Sequence, residues 1–166
     1  MRMPMQCWRR WLLMMGLVVA TMGSLGAAGG VQVSSAPVEL RLRPSGVRFG
    51  SGDPIWWLEL HQGGLRLLRW QVASGLSSQQ NADRRWSPGN GSPLPVGLYR
   101  VGRPEPWGRD LWIDLAPQFK TSRSGLGIHH CFPGVGCICV PKRAELDQLA
   151  ALIARYRVDT LQVLPH

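Results

Sequence analysis

The sequence predicts a mainly β domain with one late helix, the helix packing on a sandwich-like sheet or an open barrel. Three observations lead there: short apolar segments that alternate with polar residues, turn chemistry between them, and one run of helical periodicity near the end. Residues 38–42 alternate, with Val38, Leu40 and Leu42 on one side and Glu39 and Arg41 on the other, which is the period of a strand. Residues 55–60 form a second apolar segment, and His61-Gln62-Gly63-Gly64 has the composition of a turn, because glycine accepts positive φ. The chain then returns over residues 65–73, so 55–73 reads as a hairpin, with His61 a solvated turn residue. Residues 74–93 are rich in Ser, Gly, Asn and Gln and read as a long loop, a kind of segment that often carries function. Further strands are expected over residues 95–101, 111–115, 126–130 and 137–140. From 144 to 157, Leu146, Leu149, Ile153 and Tyr156 fall on one face at helical spacing, with Pro141 just upstream of the helix entry. Residues 158–164 close the chain as a strand, and no internal repeat is visible.

The first 28 residues follow a different logic. Arg2, Arg9 and Arg10 precede an apolar run over 11–20, and small residues follow from Gly23 to Gly30. This order is that of a secretory signal, with cleavage near Ala28, or, if uncleaved, of a membrane anchor over 11–28. The expected organisation is a signal over 1–28, an N-terminal segment over 29–49 and a domain over 50–164. Removing Arg2, Arg9 and Arg10 lowers the formal charge from +9 to +6. The remaining excess is nearly all Arg and is scattered, which argues against a nucleic-acid stripe and fits an exported protein near anionic envelope polymers. Of four cysteines, Cys7 lies in the signal; Cys131, Cys137 and Cys139 remain, and an odd count in an oxidising compartment leaves a thiol without an intramolecular partner.

The chemistry concentrates between Gly127 and Val140. His129 closes one apolar run, and Gly136-Cys137 opens the next after a Pro/Gly loop. Such a layout brings an imidazole and a thiol to adjacent strand ends, which thiol nucleophile chemistry requires. On that reading Cys137 attacks, His129 is the base, and Gly136 allows close backbone approach. The plainer reading of Cys137 is a small buried hydrophobe. His130, next to His129 in a strand, points to the opposite face, as a structural, rim or substrate contact. Trp86 in the long loop and Trp107 in Pro106-Trp107-Gly108 are groove candidates for glycan or peptide, although tryptophans of β domains more often serve the core. The simplest redox arrangement pairs Cys131 with Cys139 and keeps Cys137 reduced; two independent thiols or a Cys131–Cys137 bond are the alternatives. His129, His130, Cys131, Cys137 and Cys139 are also soft or imidazole ligands, but their spacing fits no common zinc motif, so no metal and no cofactor is expected.

Four segments, in order, resemble the L,D-transpeptidase catalytic domain family (YkuD-like). Val72-Ala73-Ser74-Gly75 resembles the end of its opening hairpin, Ser92-Pro93-Leu94-Pro95-Val96-Gly97-Leu98-Tyr99 its strand entry, Gly127-Ile128-His129 its Gly-Ile-His motif, and Gly136-Cys137-Ile138 with Val140-Pro141 its nucleophile segment and following helix. The resemblance covers about residues 50–164. It implies an exported, periplasmic or envelope enzyme that acts on peptidoglycan stem peptides through a Cys137 thioester. The Cys137 N–H would help stabilise the oxyanion, and Tyr99 is carried over as a substrate contact. Transfer to water instead of an amine would make a carboxypeptidase; a silent wall-binding member and, further off, a metal- or redox-handling exported protein are the alternatives. The chain departs from the family in three places. The histidine directly before Gly-Cys is missing, Cys139 stands where the family has Arg or Asn, and His129 and Cys137 are separated by only 8 positions.

Overall fold

The structure is a computed structural model and describes residues 36–86, 91–132 and 136–165. The described strands are β1 (Val38–Arg48), β2 (Pro54–Gln62), β3 (Leu65–Ser74), β4 (Gly97–Trp107), β5 (Asp110–Pro117), β6 (Gly127–His130), β7 (Ile138–Val140) and β8 (Thr160–Val163), with one α-helix, α1 (Arg143–Tyr156), between β7 and β8. The sheet is a closed barrel in the order β1-β2-β3-β7-β6-β5-β4-β8. The mainly β class with one late helix is therefore observed, and the barrel is closed rather than open. Closure comes from β8, which pairs in parallel with β1 and antiparallel with β4.

Strand alternation builds the interior. Leu40 and Leu42 of β1, Leu58 and Leu60 of β2, Ile113 and Leu115 of β5, and Ile128 of β6 are all buried. From α1, Leu146, Leu149, Ala150 and Ile153 are buried in the same core. Tyr156, assigned to that apolar face by its spacing, is 39% exposed; Ala150 is buried instead. The helix starts after Pro141 without a side-chain cap and stops at Arg157, whose left-handed φ of 52° turns the chain toward β8.

Two expectations need correction. β1 pairs with β2 from Val38↔Gln62 to Arg48↔Pro54, so residues 38–48 belong to the barrel and not to a separate N-terminal segment. His61 is a buried strand residue, not a solvated turn residue: β2 runs through it, and Gly63 and Gly64, at φ 56° and 85°, make the turn. His61 Nε2 lies 3.1 Å from the buried Glu59 carboxylate, which also takes Arg43 and Arg66. Burial pushes Glu59 upward in pKa, but the hydrogen bonds from Arg43, His61 and Arg66 outweigh it and hold the carboxyl below its ordinary range. The signal or anchor assigned to 1–28 lies outside the described residues, and no helix among the described residues is long and apolar enough to cross a membrane.

Candidate functional site

Two short parallel strands organise the site. β6 and β7 pair as Ile128↔Ile138, His129↔Cys139 and His130↔Val140. Ile128 and Ile138 are buried, which leaves His129 and Cys139 to share the other face. Cys137 directly precedes β7, two positions from Cys139, and so falls on the His129 side of the pair. Gly136 before it is buried and sits at φ 82°, a left-handed conformation that favours glycine and makes the sharp entry into β7.

Cys131 and Cys139 form a disulfide across the loop, with Cα atoms 5.0 Å apart. Cys137 is the free cysteine among the described residues. Its Sγ lies 3.7 Å from the Gly125 carbonyl, so the thiol proton is directed there rather than to His129. The expected direct thiol–imidazole hydrogen bond is therefore not among the described contacts. Burial pushes the Cys137 thiol upward in pKa, against the Gly127 backbone N–H and the Arg123 charge, which favour the thiolate.

His129 is held by rings and by the disulfide. Trp112 pairs with it across β5 and β6, and the two ring centroids are 5.3 Å apart. Trp107, at the end of β4, meets His129 edge-on at 5.5 Å and Trp112 at 5.3 Å. Cys131 Sγ lies 3.4 Å from His129 Nε2, while Nδ1 is buried and has no hydrogen-bond partner. Burial pushes the His129 pKa down, opposed by the backbone of His130 and the charge of Asp110. Both members of the pair thus rest neutral near pH 7, a thiol and an imidazole. Such a pair works by proton transfer as the sulfur attacks, not from a standing thiolate–imidazolium pair.

The other expected residues divide. His130 is exposed at the rim, as strand alternation requires. Trp107 is 56% exposed and reaches the site through His129. Trp86 is 51% exposed, but none of its described contacts joins it to Cys137 or His129. Tyr99 does not line the site: it is fully buried, its hydroxyl donates to the Pro95 carbonyl at 2.8 Å, and Phe119 packs edge-on against it. Its motif position builds the strand entry instead of presenting a phenol. Phe132 packs edge-on against Phe49, in the turn between β1 and β2, at 5.2 Å.

The sequence missed Arg123. It is 7% exposed, and its guanidinium donates to Gly136, Pro93, Ser92 and Arg84. Nothing local distinguishes it, since Thr121-Ser122-Arg123-Ser124 reads as a polar loop; only the assembled barrel shows that the loop turns inward. His129, Cys131 and Cys139 also place their ligand atoms within 4.8 Å of one another, but the disulfide engages both sulfurs, so the set is not a thiolate site in this form.

No family model, curated protein or solved structure matches the chain.

Proposed function

We propose that the protein is an exported L,D-transpeptidase-like cysteine acyltransferase acting on peptidoglycan stem peptides. The observation that carries the reading is the Cys131–Cys139 disulfide, which leaves Cys137 free at the entry of β7, on the strand pair that bears His129. A disulfide beside a free thiol also fits an oxidising envelope compartment. In the reaction, Cys137 Sγ attacks the carbonyl carbon of a stem peptide bond as His129 takes the thiol proton. The Cys137 N–H stabilises the oxyanion. His129 returns the proton to the leaving amine as the C–N bond breaks, giving a thioester. An acceptor amine then attacks, loses its proton to His129, and releases the Cys137 thiol. Because the thiol donates to the Gly125 carbonyl, the Cys137 side chain must rotate toward His129 when substrate enters. The exposed Trp107 is the wall a stem peptide or its glycan meets next to His129.

The test is incubation with a disaccharide tetrapeptide and a labelled D-amino acid. Mass spectrometry should show exchange of the terminal D-residue, lost in Cys137→Ala and in His129→Ala. A tripeptide product without labelled exchange means hydrolysis, a carboxypeptidase. No product with either acceptor overturns the reading. It would favour the silent wall-binding alternative, which has one observation behind it: Cys139, at the position of the family Arg, is locked in a disulfide and leaves no cation there for a substrate carboxylate.

A further inference from the structure

Arg123 carries a buried positive charge, and among the described residues no carboxylate pairs with it. Its hydrogen bonds all run to neutral oxygens: Nη1 to the Pro93 carbonyl at 2.8 Å, Ser92 Oγ at 3.2 Å and the Arg84 carbonyl at 3.3 Å, and Nη2 to the Gly136 carbonyl at 3.0 Å. Burying a guanidinium without an anion is costly, and these oxygens compensate only in part. Two groups that can become negative interact with its charge, Tyr99 and Cys137, the latter directly following the Gly136 carbonyl that the guanidinium holds. Tyr99 is excluded as the anion: its hydroxyl already donates to Pro95, and burial pushes its ionisation far above neutral pH. Cys137 remains.

The hydrogen bond to Gly136 has a second consequence. The Gly136 carbonyl and the Cys137 N–H belong to one trans peptide plane and point in opposite directions. Holding that carbonyl on Arg123 fixes where the Cys137 N–H points. At φ 82° Gly136 has conformational freedom that this bond removes. The same guanidinium ties Arg84 and Pro93 to the entry of β7.

We propose that Arg123 is the positioning residue of the Cys137 site: it fixes the Gly136–Cys137 peptide and supplies the cation that stabilises the Cys137 thiolate as it forms. The proposal rests on Cys137 being the reacting thiol. It adds a group that does not touch substrate but sets the sulfur's ionisation and the direction of the backbone donor.

The test is the pH profile of iodoacetamide alkylation on the oxidised, full-length protein, read by mass on the peptide containing Cys137 so that Cys7 does not contribute, with circular dichroism as the check on folding. Arg123→Gln keeps a donor and removes the charge; Arg123→Lys keeps the charge. The Gln variant should shift the profile to higher pH by at least one unit, seen as about a tenfold slower alkylation at pH 8, and the Lys variant should shift it far less. A merely structural role would change the limiting rate at high pH without moving the profile. An unshifted profile in folded Arg123→Gln overturns the proposal. If that variant does not fold, the wild-type protein decides. A cation beside the sulfur makes its iodoacetate-to-iodoacetamide rate ratio exceed that of a cysteine peptide, and a ratio no higher overturns the proposal. Alkylation needs no peptidoglycan, so a shifted profile in a protein that transfers nothing upholds the role of Arg123 while the transferase reading fails.

Discussion

The Cys131–Cys139 disulfide should contribute measurably to stability, and its removal can be read without changing the residues it joins. The bond closes a loop with a sequence separation of 8. In the chain-entropy account, a loop of about nine residues removes roughly 2.5 kcal/mol of freedom from the unfolded chain at 25 °C. The reduced native state also loses the covalent tether beside His129, whose Nε2 lies 3.4 Å from Cys131 Sγ. The experiment compares the oxidised and dithiothreitol-reduced forms of the double variant Cys7→Ala and Cys137→Ala, a background in which Cys131 and Cys139 have no third partner. Guanidinium denaturation is followed by tryptophan fluorescence. A chelator is present because His129, Cys131 and Cys139 could hold a metal ion once reduced. With a slope of about 4 kcal/mol per molar, the reduced form should unfold about 0.6 M earlier. Coincident curves, or a more stable reduced form, would mean that the bond is absent in solution or offset by a cost in the folded state, and that it does not stabilise the barrel.

Three further outcomes follow from the geometry. Transfer activity should fall on acidification only below the ordinary imidazole value of 6.5, because burial lowers the His129 pKa and activity needs the neutral base; iodoacetamide alkylation should keep rising above pH 9, because burial raises the thiol. An acid limb centred above 6.5 would contradict the environment described for His129. Gly127→Ala should cut activity at least tenfold while the barrel still folds, because the added Cβ runs into the Trp112 ring, which packs on His129; unchanged kcat would show that this packing does not position the imidazole. Tyr99→Phe should lower stability by about 1 kcal/mol, through the lost hydrogen bond to Pro95, and leave the KM for stem peptides unchanged. A raised KM would return Tyr99 to the substrate site.

The strands were legible because their apolar residues alternate against one core. Leu40, Leu42, Leu58 and Leu60 could be placed from pattern alone, and the helix from the spacing of Leu146, Leu149 and Ile153. His61 was not, because Gly63-Gly64 suffices for the turn and a histidine two residues earlier looks the same whether solvated or paired with a buried Glu59. Closure of the barrel was hidden for a related reason. It depends on the four-residue β8 meeting β1 and β4, partners far away in the chain, and local periodicity does not specify pairing. At the site, the Gly-Ile-His and Gly-Cys segments singled out His129 and Cys137, and the requirement that a nucleophilic Cys137 stay reduced singled out the Cys131–Cys139 pair, which the structure contains. Arg123 stayed invisible because burial of a loop arginine is decided by tertiary contacts with Gly136 and Pro93, not by its neighbours in sequence. Tyr99 shows the converse: a motif position need not be a contact position, and here its hydroxyl serves the strand entry.

The central claim is that Cys137 is an acylating nucleophile. The most direct measurement is intact-mass spectrometry of the oxidised protein after exposure to a carbapenem, a strained β-lactam that a thiolate opens to a thioester. One stoichiometric adduct is expected, located on the peptide containing Cys137, absent from folded Cys137→Ala, and formed more slowly in His129→Ala. An unmodified wild-type protein, or an adduct that persists in Cys137→Ala, would contradict it.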